Sequence, residues 1–167
     1  MRQIDLLREE LRTRWESNEL HERYQKLLVA SGKQVTAMQH AREFTHKLVN
    51  EKRMFQALDL CEQWLKLDLE FNLQDSYHVH ALATAARMGG RHKLALDLMR
   101  GFDKRYLQHE HIPSIYYLSA QILSENFQRN QEAMLTLQAL QNKFPDHALA
   151  AEARQYLQVL DKIAALG

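Results

Sequence analysis

Cysteine occurs once in the chain, at Cys61, so no internal disulfide can staple it. A lone thiol agrees with a reducing, cytoplasmic setting. Prolines number two and glycines five, and β-branched residues are scarce. No alternating apolar and polar segment is bounded by turn residues, so no strand is expected. No apolar run approaches the roughly 18 residues that span a bilayer. The start, MRQIDLLREE, is too acidic for a signal peptide, so direct membrane insertion is not expected. A soluble piece of a larger membrane-associated protein would read the same way. An excess of one charge is also missing, since 22 Lys and Arg face 21 Asp and Glu. That balance removes the broad positive field on which nucleic-acid binding depends. Even residues 1–33, the most charged stretch, mix seven basic with six acidic side chains.

What remains in abundance is Leu, Ala, Gln, Glu, Lys and Arg, all good helix formers. Turn chemistry divides them at SNE (17–19), SGK (31–33), NEKR (50–53), EFNLQDS (70–76), GGR (89–91), LQHEHIPS (107–114), ENFQRN (125–130) and FPDH (144–147). About nine helices joined by short turns follow, which predicts antiparallel neighbours in a single compact domain.

A repeat sorts these helices. Arg53, Arg91 and Arg129 recur at intervals of 38 residues, and four positions later come Ala57, Ala95 and Ala133. The same phase holds Leu58, Leu96 and Met134, then Cys61, Met99 and Leu137, then Trp64, Phe102 and Leu140. A period of 20 to 50 residues is the mark of a solenoid. With Ala41, Phe44, Thr45 and Leu48, and Val79, Leu82, Ala83 and Ala86, on the preceding helices, this pattern resembles the tetratricopeptide repeat, in a degenerate form. The last unit, EAMLTLQALQNKFPDHALAAEARQYL, matches best, and Pro145 is the one expected proline present. The resemblance covers residues 36 to about 160. It implies an all-α fold, a right-handed α-solenoid of antiparallel helix hairpins. Residues 1–33 form an N-terminal helical capping segment, and 34–167 the repeat domain with its own C-terminal capping helix. The stripe Ile4, Leu7, Leu11 and Trp15 reads as part of that cap, with a homodimer seam as the alternative, since two heptads are too few to be specific.

Residues able to do chemistry are few. Nine histidines raise metal binding, yet His78 and His80 diverge on one helix, no pair stands at i, i+4, and only His109, Glu110 and His111 could converge. Cys61 sits on the buried stripe with no activating neighbour specified. MGGR is a helix-ending turn rather than a phosphate loop. No cofactor and no catalytic residue are therefore expected. The family resemblance instead implies a groove lined by first helices, which by position holds Gln39, Arg42 and His46, then Tyr77, His80, Thr84 and Arg87, then Ile115, Leu118 and Ile122. It implies a protein or peptide partner, with Arg42 and Arg87 orienting an acidic group. The paired Lys and Asn of the chaperone-binding members are missing. Self-assembly through the terminal helices is the alternative.

Overall fold

A computed structural model describes residues 2–167 and, among them, contains helices and no strand. Ten helices run in order: α1 (Gln3–Thr13), α2 (Asn18–Ala30), α3 (Gln34–Asn50), α4 (Met54–Leu67), α5 (Ser76–Met88), α6 (His92–Met99), α7 (Phe102–Arg105), α8 (Ile112–Phe127), α9 (Asn130–Lys143) and α10 (Ala148–Leu166). None is long and apolar enough to cross a membrane. The chain divides into two compact units, one up to Gln74 and the other from Asp75. In the first, α1 to α4 pack consecutively, so the segment expected to cap lies directly on α3 through α2. In the second, α5, α6, α8, α9 and α10 pack in sequence, and α8 also touches α5 and α10, a solenoid-like succession of hairpins.

The 38-residue echo has a backbone cause. Arg53, Arg91 and Arg129 are N-caps of α4, α6 and α9, with φ, ψ of −94, 64, −93, 64 and −95, 66. The turn before each places one residue in the left-handed region: Lys52 at φ 61, Gly90 at φ 80, Gln128 at φ 56. The amide of the following residue then bonds back to the helix just ended, Arg53 to Leu48 and Arg91 to Ala86, each at 2.8 Å. This is the Schellman closure, which satisfies carbonyls that a helix end leaves open. Gly32 and Lys33 make the same closure onto Leu28 at 3.0 Å, so the turn type begins one hairpin earlier than the sequence echo.

The in-phase residues fill the cores. Ala57, Ala95 and Ala133 are buried, as are Cys61, Met99 and Leu137, and Trp64, Phe102 and Leu140. Small alanines at one level let neighbouring helices approach. One expected helix is broken: Gly101, at φ 69, interrupts the run after Met99, and α7 resumes at Phe102 with its ring still buried. Side-chain caps hold other starts. Ser17 accepts from Leu20 N, and Asp75 accepts from Tyr77 N and His78 N.

Candidate functional site

The ten residues expected to line a groove divide between the units: Gln39, Arg42 and His46 on α3, the other seven on α5 and α8. Gln39 is exposed, while Arg42 and His46 are half-buried. Arg42 Nε donates to the Asn72 carbonyl at 2.8 Å, and its guanidinium lies 5.7 Å from the centre of the Phe71 ring. It fastens the turn that follows α4, so its charge is committed within the unit.

The α8 row needs correction. Ile115, Leu118 and Ile122 are 3%, 8% and 0% exposed and offer no binding surface. α8 packs against both α6 and α9, so its two apolar stripes are largely covered, with Phe127 at its end left exposed. The face left over begins at Tyr117, about 200° around the helix from Ile115, and continues through Gln121 to Glu125 at steps of four.

That face joins its neighbours. From α5, Arg87 donates to Gln121 Oε1 at 3.0 Å and to Glu125 Oε2 at 2.6 Å. From α10, Tyr156 Oη donates to Glu125 Oε1 at 3.4 Å, and its ring meets the Tyr117 ring edge-on at 6.1 Å. Burial is the main cause raising the pKa of both tyrosines, which keeps them neutral donors. Arg87 is thus already matched by Glu125, and what the row presents is a set of half-buried aromatic and amide groups.

At the other end of α5, Tyr77 donates to Glu110, and its ring lies 4.9 Å from that of His109 and 5.0 Å from that of His111. His80 packs on His111 at 4.8 Å; its pKa is lowered first by burial and then by the His111 charge. Ser76 Oγ stands 2.7 Å from His109 Nε2, the spacing of a nucleophile and its base. The tautomer runs the wrong way for that chemistry. His109 Nδ1 accepts the His111 amide at 3.0 Å, so the ring proton sits on Nε2 and is donated to Ser76. With both ring nitrogens used and Glu110 bonded to Tyr77, the 109–111 turn does not form the converging ligand set read from its sequence.

A second polar cluster, in the first unit, escaped the sequence reading. His21 and His40 are 0% and 5% exposed and face each other, Nδ1 to Nε2, at 3.0 Å. His21 Nε2 meets the Trp15 carbonyl at 2.8 Å, and His40 Nδ1 meets Gln25 at 2.7 Å. Only one proton assignment satisfies a neutral chain: His21 donates to Trp15, His40 donates to His21, and the Gln25 amide donates to His40. The structure sets Gln25 Oε1 against His40 Nδ1, and this network requires the amide turned over, with its NH₂ toward the ring. It also accounts for the nitrogen that has no partner when the amide is turned the other way. Both rings pack on Phe44, and Tyr24 stands edge-on to His40. The signal was present: His40 shares its stripe with Ala37, Ala41 and Phe44, and His21 shares one with Leu20, Tyr24 and Leu28.

Compared with known proteins, the chain matches no family model and no curated sequence.

Proposed function

We propose that the chain is a non-catalytic scaffold that binds a protein or peptide segment, built on tetratricopeptide-like hairpins, with a cytoplasmic setting as part of that reading. The observation that carries it is the row on α5, α8 and α10 of the second unit: Arg87, Gln121 and Glu125 bonded across two helices, beside the Tyr117 and Tyr156 rings. Tyrosine and arginine dominate binding energy at protein interfaces because they bring large contact area and a polar end together. Here Arg87 is already held by hydrogen bonds to Gln121 and Glu125, Tyr156 by one to Glu125, and the Tyr117 ring by its edge-on contact with Tyr156, which lowers the ordering cost of association. The Ser76 and His109 pair, the strongest arrangement for an enzyme, has its proton on the wrong nitrogen for a general base.

Tyr117→Ala and Tyr156→Ala test the reading. Each is expected to weaken a partner co-purified with the full chain from its native cells by at least about tenfold, or about 1.4 kcal/mol. Retention of that partner at wild-type affinity by both variants would rule out this face.

A further inference from the structure

Four polar side chains are buried among the described residues, and three of them meet in one place. Thr45 bonds within its own helix, donating to the Ala41 carbonyl at 2.7 Å. His21 and Gln25 of α2 and His40 of α3 are instead bonded across the seam on which the α1/α2 hairpin docks. Apolar side chains flank them, Leu20 and Leu28 on α2 and Ala37 and Phe44 on α3, all buried. The bonds between the rings and the amide are thus the part of this seam that a proton can change.

The charges around the rings decide what a proton does there. Tyr24 of α2 stands edge-on to His40, and its hydroxyl accepts from Arg8 of α1. Burial lowers the pKa of His21 and its bond to Trp15 raises it; of the nearby charges, Lys47 lowers it and Glu51 raises it. His40 feels burial and then the His21 charge, and no carboxylate from α1, α2, α3 or α4 offsets them. A proton on His40 in the closed seam therefore faces only a neutral amide and a second imidazole. The tip of the hairpin is held separately, because Lys47 Nζ donates to the Glu16 carbonyl at 3.1 Å and to the Asn18 and Glu51 side chains. Bonds from Lys47 and Asn18 depress the Glu51 carboxyl, so this clasp keeps its charges at pH 5 and adds no pH dependence above it.

We propose that the α2/α3 seam is an acid-operated latch: proton uptake by His40 parts the α1/α2 hairpin from α3, with Gly32 as the hinge, while α3 and α4 stay packed. Gly32, at φ 71, lies in the short turn that joins the hairpin to α3. Hinges are a few such loop residues that absorb the backbone change. The α3/α4 seam holds no buried histidine among the described residues, so the same proton has no hold on it. Parting bares Ala37, Ala41 and Phe44 of α3 with Leu20, Tyr24 and Leu28 of α2, an apolar surface that is closed at neutral pH. The open form returns the His40 ring to water and to its ordinary pKa of 6.5, against about 4 when closed. Between pH 7.5 and pH 5 that difference multiplies the open-to-closed ratio by about thirty. The latch lies within the first unit and holds whether or not the Tyr117 and Tyr156 face binds a partner.

Hydrogen exchange of the full chain, corrected for the intrinsic rate at each pH, tests the latch. Amides of α2 are expected to share an opening constant larger than that of α4 amides, because their opening is a smaller event than unfolding of the unit. That constant is expected to rise at least about thirtyfold from pH 7.5 to pH 5. His40→Gln, which keeps a donor toward His21 and takes up no proton, is expected to lose most of the rise. Equal opening constants for α2 and α4 would mean that the unit unfolds as a whole, and would overturn the latch. So would an α2 constant that does not change with pH, or a His40→Gln protein that shows the full rise. Where that variant does not fold, the wild-type comparison of α2 with α4 decides by itself.

Discussion

Acidification from pH 7.5 to pH 5 is expected to remove about 2 kcal/mol of stability through His40 alone, read by chemical denaturation of the full chain. Burial, and then the neighbouring His21 charge, lowers its pKa from 6.5 to about 4. The folded chain therefore keeps the ring neutral where the unfolded chain protonates it. Below pH 6.5 the unfolded state binds more protons, so stability falls with pH, and the loss is complete only once His40 also titrates, near pH 4. His21 adds to it in the same direction, its pKa lowered chiefly by burial; among nearby charges Lys47 lowers it and Glu51 raises it. Arg8 reaches the cluster through Tyr24 Oη at 3.2 Å. Glu51 acts in a lower window. Bonds from Lys47 and Asn18 depress its carboxyl, so its contribution is present above the ordinary Glu range and lost only as pH falls through its own value. Above pH 7 the histidine contribution is flat. Equal stability at pH 7.5 and pH 5 would mean that the two rings are not held neutral as the hydrogen bonds require.

The proton arithmetic explains why this cluster is sensitive. Two neutral imidazoles supply one proton to Trp15 and one to the bond between the rings, which leaves two unprotonated nitrogens: His21 Nδ1, which accepts within the ring pair, and His40 Nδ1, which faces Gln25 and is the one open to a third proton. A third proton lands there, forces the Gln25 amide to turn over, and leaves a buried charge whose partner is a neutral amide. Such a charge is costly in a low-dielectric interior.

The second large effect is expected at Trp64. Its side chain is 2% exposed and stacks on Phe71 at 5.8 Å, so it closes α4 against the turn that ends the first unit. Trp64→Ala should cost about 3 to 5 kcal/mol, the lost transfer energy plus the cavity left behind. For a unit of this size that is a fall in melting temperature on the order of 10 °C or more. Phe55, in the first turn of the same helix, is 71% exposed, and Phe55→Ala should stay within about 0.5 kcal/mol. Comparable melting losses for the two variants would contradict the burial pattern from which the repeat is argued.

The repeat was legible because its signal is local. Arg53, Arg91 and Arg129 share a phase since each caps a helix after the same turn, and the alanines four residues later share one since helices must approach there. The proposed binding face on α8 was not legible, for a reason also visible in the residues. A helix with Ile115, Leu118 and Ile122 on one stripe and Tyr116, Ala120, Leu123 and Phe127 on another gives no pattern that says which stripe is covered. Both proved largely buried, and the free face lay between them at Tyr117, Gln121 and Glu125. Gly101 was hidden for a different reason: the apolar spacing continues through it from Leu98 to Phe102 while the backbone does not. The buried histidines needed their partners in three dimensions, because Trp15, Gln25 and His40 reach His21 or each other from separate segments.

The proposed partner surface is tested most directly by a photo-crosslinking phenylalanine derivative placed at position 117 of the full chain, and separately at the exposed position 55, followed by irradiation in native cells. The account predicts one discrete protein adduct from position 117 and none of that mass from position 55. The same adduct from both positions, or none from 117, would contradict a binding face on α5, α8 and α10.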